Sequence, residues 1–349
     1  MNELPDLAAP FLAHEAVAAG WSARRVGGLL RRGHLVRLAR GLYAPTRQWA
    51  AMSPDERHLA LVHAAVRRVP RAVVSHRSAA LVHGLPTPYG ALGPVRMTVP
   101  ADDRSSRAES WVQLHRGTTG LQHVELVAGL PVTTVARTVV DCFREDGLAQ
   151  GLSVGDAALR SGTGSVADIQ HVRQQQRRWP GVARAGIGIP LLDGRRESWL
   201  ESFSAGAMAA RDVPPGVPQV VVLDEWGQFV ARVDVAWAEL GIVGEADGRG
   251  KYLGDFDDGL GRGEDAAAAR VVQAAQRESR VRELGLRVVR WDTTEIVRSP
   301  RSVVARWFAA ARSADPGRVT AHLRCSCHRL PLTDCPSSTR KDGLGRLAG

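Results

Sequence analysis

Residues 232–252 read RVDVAWAELGIVGEADGRGKY. The first part, continuing from Phe229, has the alternation of a strand, and Leu240–Asp247 has that of a second. Asp234 lies late on one, Glu245 and Asp247 late on the next, and residues two apart on a strand share a face. Lys251 and Tyr252 close the stretch. Of 46 lysines and arginines in the chain, only Lys251 and Lys341 are lysines, so a lysine beside three carboxylates stands out against an arginine bias. Asp-Gly after a strand is also ordinary turn chemistry. Carboxylates converging from neighbouring strands repel unless a cation neutralises them, and hard oxygen donors suit Mg2+. A lysine close by then orients or deprotonates the attacking water and stabilises charge at a phosphate.

Around this stretch, Arg195–Arg211 reads as a helix with Glu197 and Glu201 at i, i+4 on one face. Pro214–Pro218 breaks the chain, and Val220–Asp224 pairs with Phe229–Ala236 about a turn carrying Trp226. Past an acidic insert, Gly254–Glu264, come a helix over Ala266–Leu284 with Val271, Val272 and Val281 inward, a core strand over Leu286–Trp291 and a helix over Pro300–Arg312. From Ser313 the chain is Pro-, Ser- and Arg-rich without periodicity, which predicts disorder. Cys325, Cys327 and Cys335 cluster there with His328, but C-x-C-H plus one cysteine lacks paired C-x-x-C knuckles, so metal binding is not expected.

At the N-terminus, Phe11–Ala19 reads as a short helix. Ser22 caps a second over Ser22–Arg32, stopped by Gly33, and His34–Ala44 reads as a hairpin turned at Ala39–Gly41. Helix, turn, helix and hairpin is the order of a winged helix-turn-helix. Between Trp21 and Tyr43 lie Arg24, Arg25, Arg31, Arg32, Arg37 and Arg40 and no acidic residue. Guanidinium groups so placed grip phosphates, and arginine reads guanine O6 and N7. A solvated basic face is the plainer alternative.

In the middle, Pro54–Arg68 is a helix. Ser75 caps another over His76–His83, whose two histidines are expected to be core or capping residues for want of a third ligand. Val95–Val99 and Trp111–Leu114 read as strands, Leu130–Thr133 as a third short strand or an approach to a helix, Thr134–Arg144 and Val154–Ser161 as helices, and Asp141 and Cys142 as structural. GVARAGIGIPLLDG, residues 181–194, is a Gly- and Pro-rich boundary.

The whole-chain figures agree with a protein of about two or three domains. Among 349 residues, 44% are hydrophobic and 23% charged; the formal charge is +10 and the pI about 10.5. That favours an anionic partner, nucleic acid before a membrane surface. No basic segment leading an apolar run opens the sequence, no stretch approaches about 18 apolar residues, and four cysteines form no disulfide framework. A reducing cytoplasm is the expected compartment.

FLAHEAVAAGWSARRVGGLLRRGHLVRLARGLYAP resembles the N-terminal domain of AbiEi-type proteins, the antitoxins of type IV toxin–antitoxin systems. SHRSAA, HGLP, VTTVARTVVD and DAALR resemble the middle portion of such proteins. The resemblance implies a winged helix that binds promoter DNA, a small α/β domain that carries neutralisation, and a toxin as partner. RVDVAWAELGIVGEADGRGKY is similar to a domain that follows AbiEi-like modules and is related to very-short-patch-repair endonucleases, with PD-(D/E)xK logic. It implies a Mg2+-dependent site of Glu201 (or Glu197), Asp234, Glu245, Asp247 and Lys251, the metal held by Asp234, Glu245 and Asp247. Two departures are plain. A standard E-x-K puts lysine two residues after Glu245, where Asp247 stands. In AAQRE, residues 274–278, Arg277 and Glu278 match the family helix while two alanines replace its leading acid–base pair.

The expected fold class is α/β multidomain: a winged helix-turn-helix over 8–47, a middle α/β domain over 54–165, a linker over 166–192, a restriction-endonuclease-like α/β domain over 193–312 and a disordered tail over 313–349. Three readings stay open: a regulator binding double-stranded DNA, an active endonuclease targeted by its winged helix, which is compatible with the first, and a structural or partner-binding protein.

Overall fold

The computed structural model describes residues 9–87, 92–104, 106–118, 120–248, 264–327 and 329–335, with no account of the side chains of 264–271 and 274. Among the described residues the chain is a mixed α/β protein with three sheets. Its contacts divide it into two units, Met1–Glu145 and Asp146–Gly349.

The first unit opens with β1 (Phe11–Leu12), α1 (Ala13–Ala18), α2 (Ala23–Arg31), β2 (Leu35–Ala39) and β3 (Leu42–Pro45). A helix from Phe11 is corrected here: Phe11 and Leu12 pair with Tyr43 and Leu42, giving the order β1-β3-β2. Two adjacent buried apolar residues suit a strand as well as a helix start. Glu15 settles the boundary by accepting Leu12 N–H at 2.7 Å. Ser22 caps α2, and Gly33, at φ 70°, ends it.

Then come α3 (Thr46–Ala51), α4 (Pro54–Arg68), β4 (Val73–Val74), α5 (His76–Val82), β5 (Val95–Val99), β6 (Val112–Arg116), β7 (Val124–Val127) and β8 (Leu130–Thr133), with the strands ordered β6-β5-β4-β8-β7. Ser75 precedes α5, but its hydroxyl bonds His76 Nδ1 (2.8 Å) and Thr98 Oγ1 (2.9 Å) instead of the helix backbone. Leu12 and Leu42 share one core with Val62, Val74, Met97 and Val132. Arg67 donates to Glu15 (2.6 Å) and to the Pro10 carbonyl (2.8 Å), fastening the N-terminal elements to α4.

The helix α6 (Val135–Arg160) replaces two predicted helices and breaks at Gly147, whose φ of 85° and ψ of −174° only glycine adopts freely. Asp141 lies buried between Arg137 and Arg144, each at 2.7 Å, and Cys142 is fully buried; both are structural, as expected.

In the second unit, α7 (Val166–Gln175) and α8 (Val182–Gly188) occupy much of the stretch read as a linker, with Ile169, Val172 and Ala185 buried. Next are α9 (Trp199–Ala209), β9 (Val217–Leu223), β10 (Phe229–Trp237), β11 (Ile242–Asp247), α10 (Glu264–Glu283), β12 (Arg287–Asp292), α11 (Thr293–Arg298), α12 (Pro300–Ser313) and β13 (His322–Cys325). The sheet order is β12-β11-β10-β9-β13, antiparallel but for β11 and β12. Gly206 lets α9 lie on α6: a Cβ there would stand 2.5 Å from Ala149 Cα. A buried pair, Arg196 and Asp156 at 2.6 Å, holds the lead-in to α9 against α6.

Two further expectations are corrected. Val272 is exposed, because α10 turns that side to solvent; Val271 lies outside the described side chains. The tail is not disordered throughout: β13 pairs with β9, and Cys325, Leu332 and Cys335 are buried. A strand of four residues leaves too short a pattern for periodicity to register. Among the described residues, no helix is long and apolar enough to cross a membrane.

Candidate functional site

The second sheet carries a transverse polar row. Gln219 of β9 stands opposite Asp234 of β10, since Val220 pairs with Val233 and Pro218 with Val235. One step past the pair Val235 and Gly244, Asp234 comes alongside Glu245 of β11. Glu245 in turn registers with Arg290 of β12. Four neighbouring strands thus contribute Gln, Asp, Glu and Arg in line.

Each member is held. Asp234 Oδ2 accepts the Ala246 N–H at 2.8 Å. Glu201, in the first turn of α9, accepts from Gln219 Nε2 (2.7 Å), Ser198 Oγ (2.7 Å) and Glu197 N–H (3.1 Å). Burial, and next the Asp234 carboxylate, push Glu201 above the usual carboxylate range. Gln219 is 2% exposed and has φ 55° within a strand, a conformation strained for a side chain with a Cβ. Its Oε1 is buried without a hydrogen-bond partner.

Arg290 is the hub of the other end. It grips Asp247 with Nε and Nη2 at 2.9 and 3.0 Å, reaches Glu278 of α10 with Nη1 at 2.9 Å, and stands 3.2 Å from Glu245. Arg277 lies 3.9 Å from Glu245. Burial raises Glu245, and Asp234 and Asp247 add to it, against the pull of Arg290 and Arg277. Burial works against ionised Glu278 too, but hydrogen bonds from Arg290 and Arg282 hold it below its usual range. Asp247, in the position a standard motif gives to lysine, is bound to an arginine from the next strand.

The helix-face pairing of Glu197 with Glu201 is corrected. Ser198 is the N-cap of α9, so Glu197 precedes the helix, and it pairs with Arg232 at 2.8 and 2.9 Å. Glu201 is the member that joins the row. Lys251 and Tyr252, with most of the acidic insert, lie outside the described residues. Glu201, Asp234, Glu245 and Asp247 are hard oxygen donors of the right type for Mg2+. Among the described residues, however, no three of them bring an oxygen each within 4.8 Å of one another. Beside Asp234 and Glu201 an apolar cavity of about 40 Å3, lined by Met208, Trp237 and Trp291 among others, is too small for a substrate.

Gln219 and Arg290 escape sequence reasoning. Their signal was available: each is a polar residue interrupting an apolar strand run, VPQVVVL and RVVRW.

At the N-terminus, Arg24, Arg25, Arg31, Arg32, Arg37 and Arg40 are all exposed on α2 and the β2–β3 hairpin. Arg25 stacks over Trp21, 4.4 Å from the ring centroid, and Arg37 over Tyr43 at 5.8 Å.

Two other groups come together. His76, with φ 55°, stacks on His115 (centroids 4.0 Å apart), and Glu145 completes a trio within 4.8 Å. Arg96 and Arg144 also bear on both rings and, after burial, hold them below the usual histidine range. His83 Nε2 donates to the Thr133 carbonyl at 2.7 Å. The sulfurs of Cys325, Cys327 and Cys335 also lie within 4.8 Å of one another. His328 lies outside the described residues.

No protein-family model matches the chain. It is 26% identical over 196 residues to two proteins of Mycobacterium tuberculosis, Uncharacterized protein MT2308 of strain CDC 1551 / Oshkosh and Uncharacterized protein Rv2248 of strain ATCC 25618 / H37Rv. The match spans 56% of this chain and 66% of each relative, just under two thirds of their length.

Proposed function

We propose that this chain binds double-stranded DNA through its N-terminal elements, as a regulator of the AbiEi type. In this reading α1, α2 and the β2–β3 hairpin are a winged helix-turn-helix, and residues 193–312 are a restriction-endonuclease-like domain. One observation carries it. Six exposed arginines occupy α2, its C-cap and the hairpin, the elements that would dock on the duplex, with no acidic residue among them. Phosphate contacts supply most of the affinity of such a surface.

The test is a titration of the full chain with duplex DNA across salt concentrations. The log of the binding constant is expected to fall with log salt at about −0.9 per phosphate neutralised. Arg31→Ala and Arg37→Ala should each lower that slope by up to about 0.9. Arg177→Ala, which removes the same charge from an exposed position in the turn that follows α7, should leave it unchanged. Salt-insensitive binding, or equal losses in all three variants, would refute the proposal.

A second reading, an active Mg2+-dependent endonuclease, is favoured by the apposition of Asp234 and Glu245 on neighbouring strands with Glu201 beside them. Arg290 occupying Glu245 and Asp247 is what places it second. Supercoiled plasmid incubated with Mg2+ tests it: cleavage by the parent chain and none by Asp234→Ala supports the nuclease, and no cleavage by either leaves the regulator.

A further inference from the structure

The chain after α12 returns to the sheet in a way that concentrates sulfur. β13 pairs with β9, Cys325 registering with Val220. The chain then reverses: Cys325 N–H donates to the Leu330 carbonyl at 2.9 Å and Arg329 N–H to the Cys325 carbonyl at 3.1 Å. Arg329, at φ 53°, completes the turn. A short 3-10 turn, Leu332–Asp334, delivers Cys335 back beside the first two cysteines. Cys325 and Cys335 are fully buried, while Cys327 is exposed. Cys327 and Cys335 sulfurs stand 3.4 Å apart.

Three explanations compete. Cys325 and Cys335 do pack with Val220 and Leu332 as small apolar fillers would, but filling does not account for all three sulfurs converging, one of them open to solvent. A disulfide would need two sulfurs at about 2.05 Å and leave the third without a role. Thiolates around zinc lie about 2.3 Å from the metal, which puts tetrahedral neighbours about 3.8 Å apart. A sulfur triangle within 4.8 Å with one side of 3.4 Å has that size. Soft thiolates select zinc over hard cations, and the exposed Cys327 supplies an entry path. The Arg195 guanidinium, which bears on Cys327, offsets the negative charge that three thiolates leave around a divalent ion.

We propose that Cys325, Cys327 and Cys335 bind one Zn2+ ion, which staples the C-terminal hairpin to β9. The fourth position belongs to a donor outside this trio. The staple reaches the polar row as well, because Ser326 N–H, between two of the ligands, donates to the Gln219 carbonyl at 3.3 Å.

The full chain, purified under reducing conditions and dialysed against trace Zn2+, is expected to retain about one zinc per chain. Replacing zinc by Co2+ should produce a near-ultraviolet thiolate charge-transfer absorption. Cys335→Ser should lose both, and Cys142→Ala should keep both. The Co2+ absorption of the parent chain is decisive even if Cys335→Ser does not fold. No retained metal and no absorption, with four thiols counted in the unfolded chain, would overturn the proposal, and so would two thiols with one disulfide.

Discussion

Arg290 neutralises a group of carboxylates at one end of the polar row. It lies within 3.2 Å of three carboxylates, Glu245, Asp247 and Glu278, on β11 and α10. Removing it leaves acidic groups facing one another with Arg277 and Arg282 as the remaining partners. Arg290→Met keeps the side chain's bulk and deletes its charge. We expect it to cost about 2–4 kcal/mol in chemical denaturation, toward the lower part of the range for breaking a buried pair, since 26% of the side chain is exposed. The freed carboxylates then become a seat for a cation. Millimolar Mg2+ should raise the melting temperature of Arg290→Met more than that of the parent. An equal shift in both would show that these oxygens do not converge on a metal. Gln219 is a different kind of residue, one whose backbone strain is kept while its amide fixes Glu201.

At the scale of elements, the shortest strands were mostly missed, β8 excepted, and the 26-residue α6 was read as two helices. α4 is found as predicted, because Ser53 and Glu56 form a capping box and its apolar positions repeat over 15 residues. β5 has the predicted ends, and β10 and β11 agree to within about two residues. β1, β4 and β13 run for two, two and four residues. Their strand character comes from partners distant in sequence, which local pattern does not encode. The candidate site divides the same way. Asp234, Glu245 and Asp247 could be placed on one sheet from alternation alone. That Glu201 joins Asp234 through Gln219 while Glu197 turns to Arg232 depends on where α9 begins, a shift of a few residues. Arg290 required knowing that β12 runs parallel to β11 in a register that sets it against Glu245.

Across the whole molecule, one source of acid sensitivity is a buried histidine of the first unit. Burial, and next Arg77, lower His58 from 6.5 to about 4, and burial also lowers His76 and His115. His58 bonds Ser78 Oγ at 2.8 Å in its neutral form. Below pH 6.5 the unfolded chain takes up a proton that folded His58 refuses until about pH 4. The stability it protects is therefore full above that window and falls as pH drops through it, by about 3 kcal/mol in all. Denaturant midpoints at about pH 7.5 and about pH 4.5 should show this fall, and His58→Gln should flatten it. An unchanged slope in the variant would assign the acid response elsewhere.

The return of the chain as β13 has one more effect. β9, with the sequence VPQVVVL, is apolar and rich in β-branched residues, and β13 occupies the side of it that β10 does not. A chain cut at Ser313, where helical periodicity stops, would present that row of backbone donors and acceptors to any similar strand, in the manner that leads to sheet-to-sheet aggregation. β13 thus covers the side of β9 that β10 leaves free, and a chain shortened to Ser313 is expected to sediment as larger species than the full chain, the measurement that checks this.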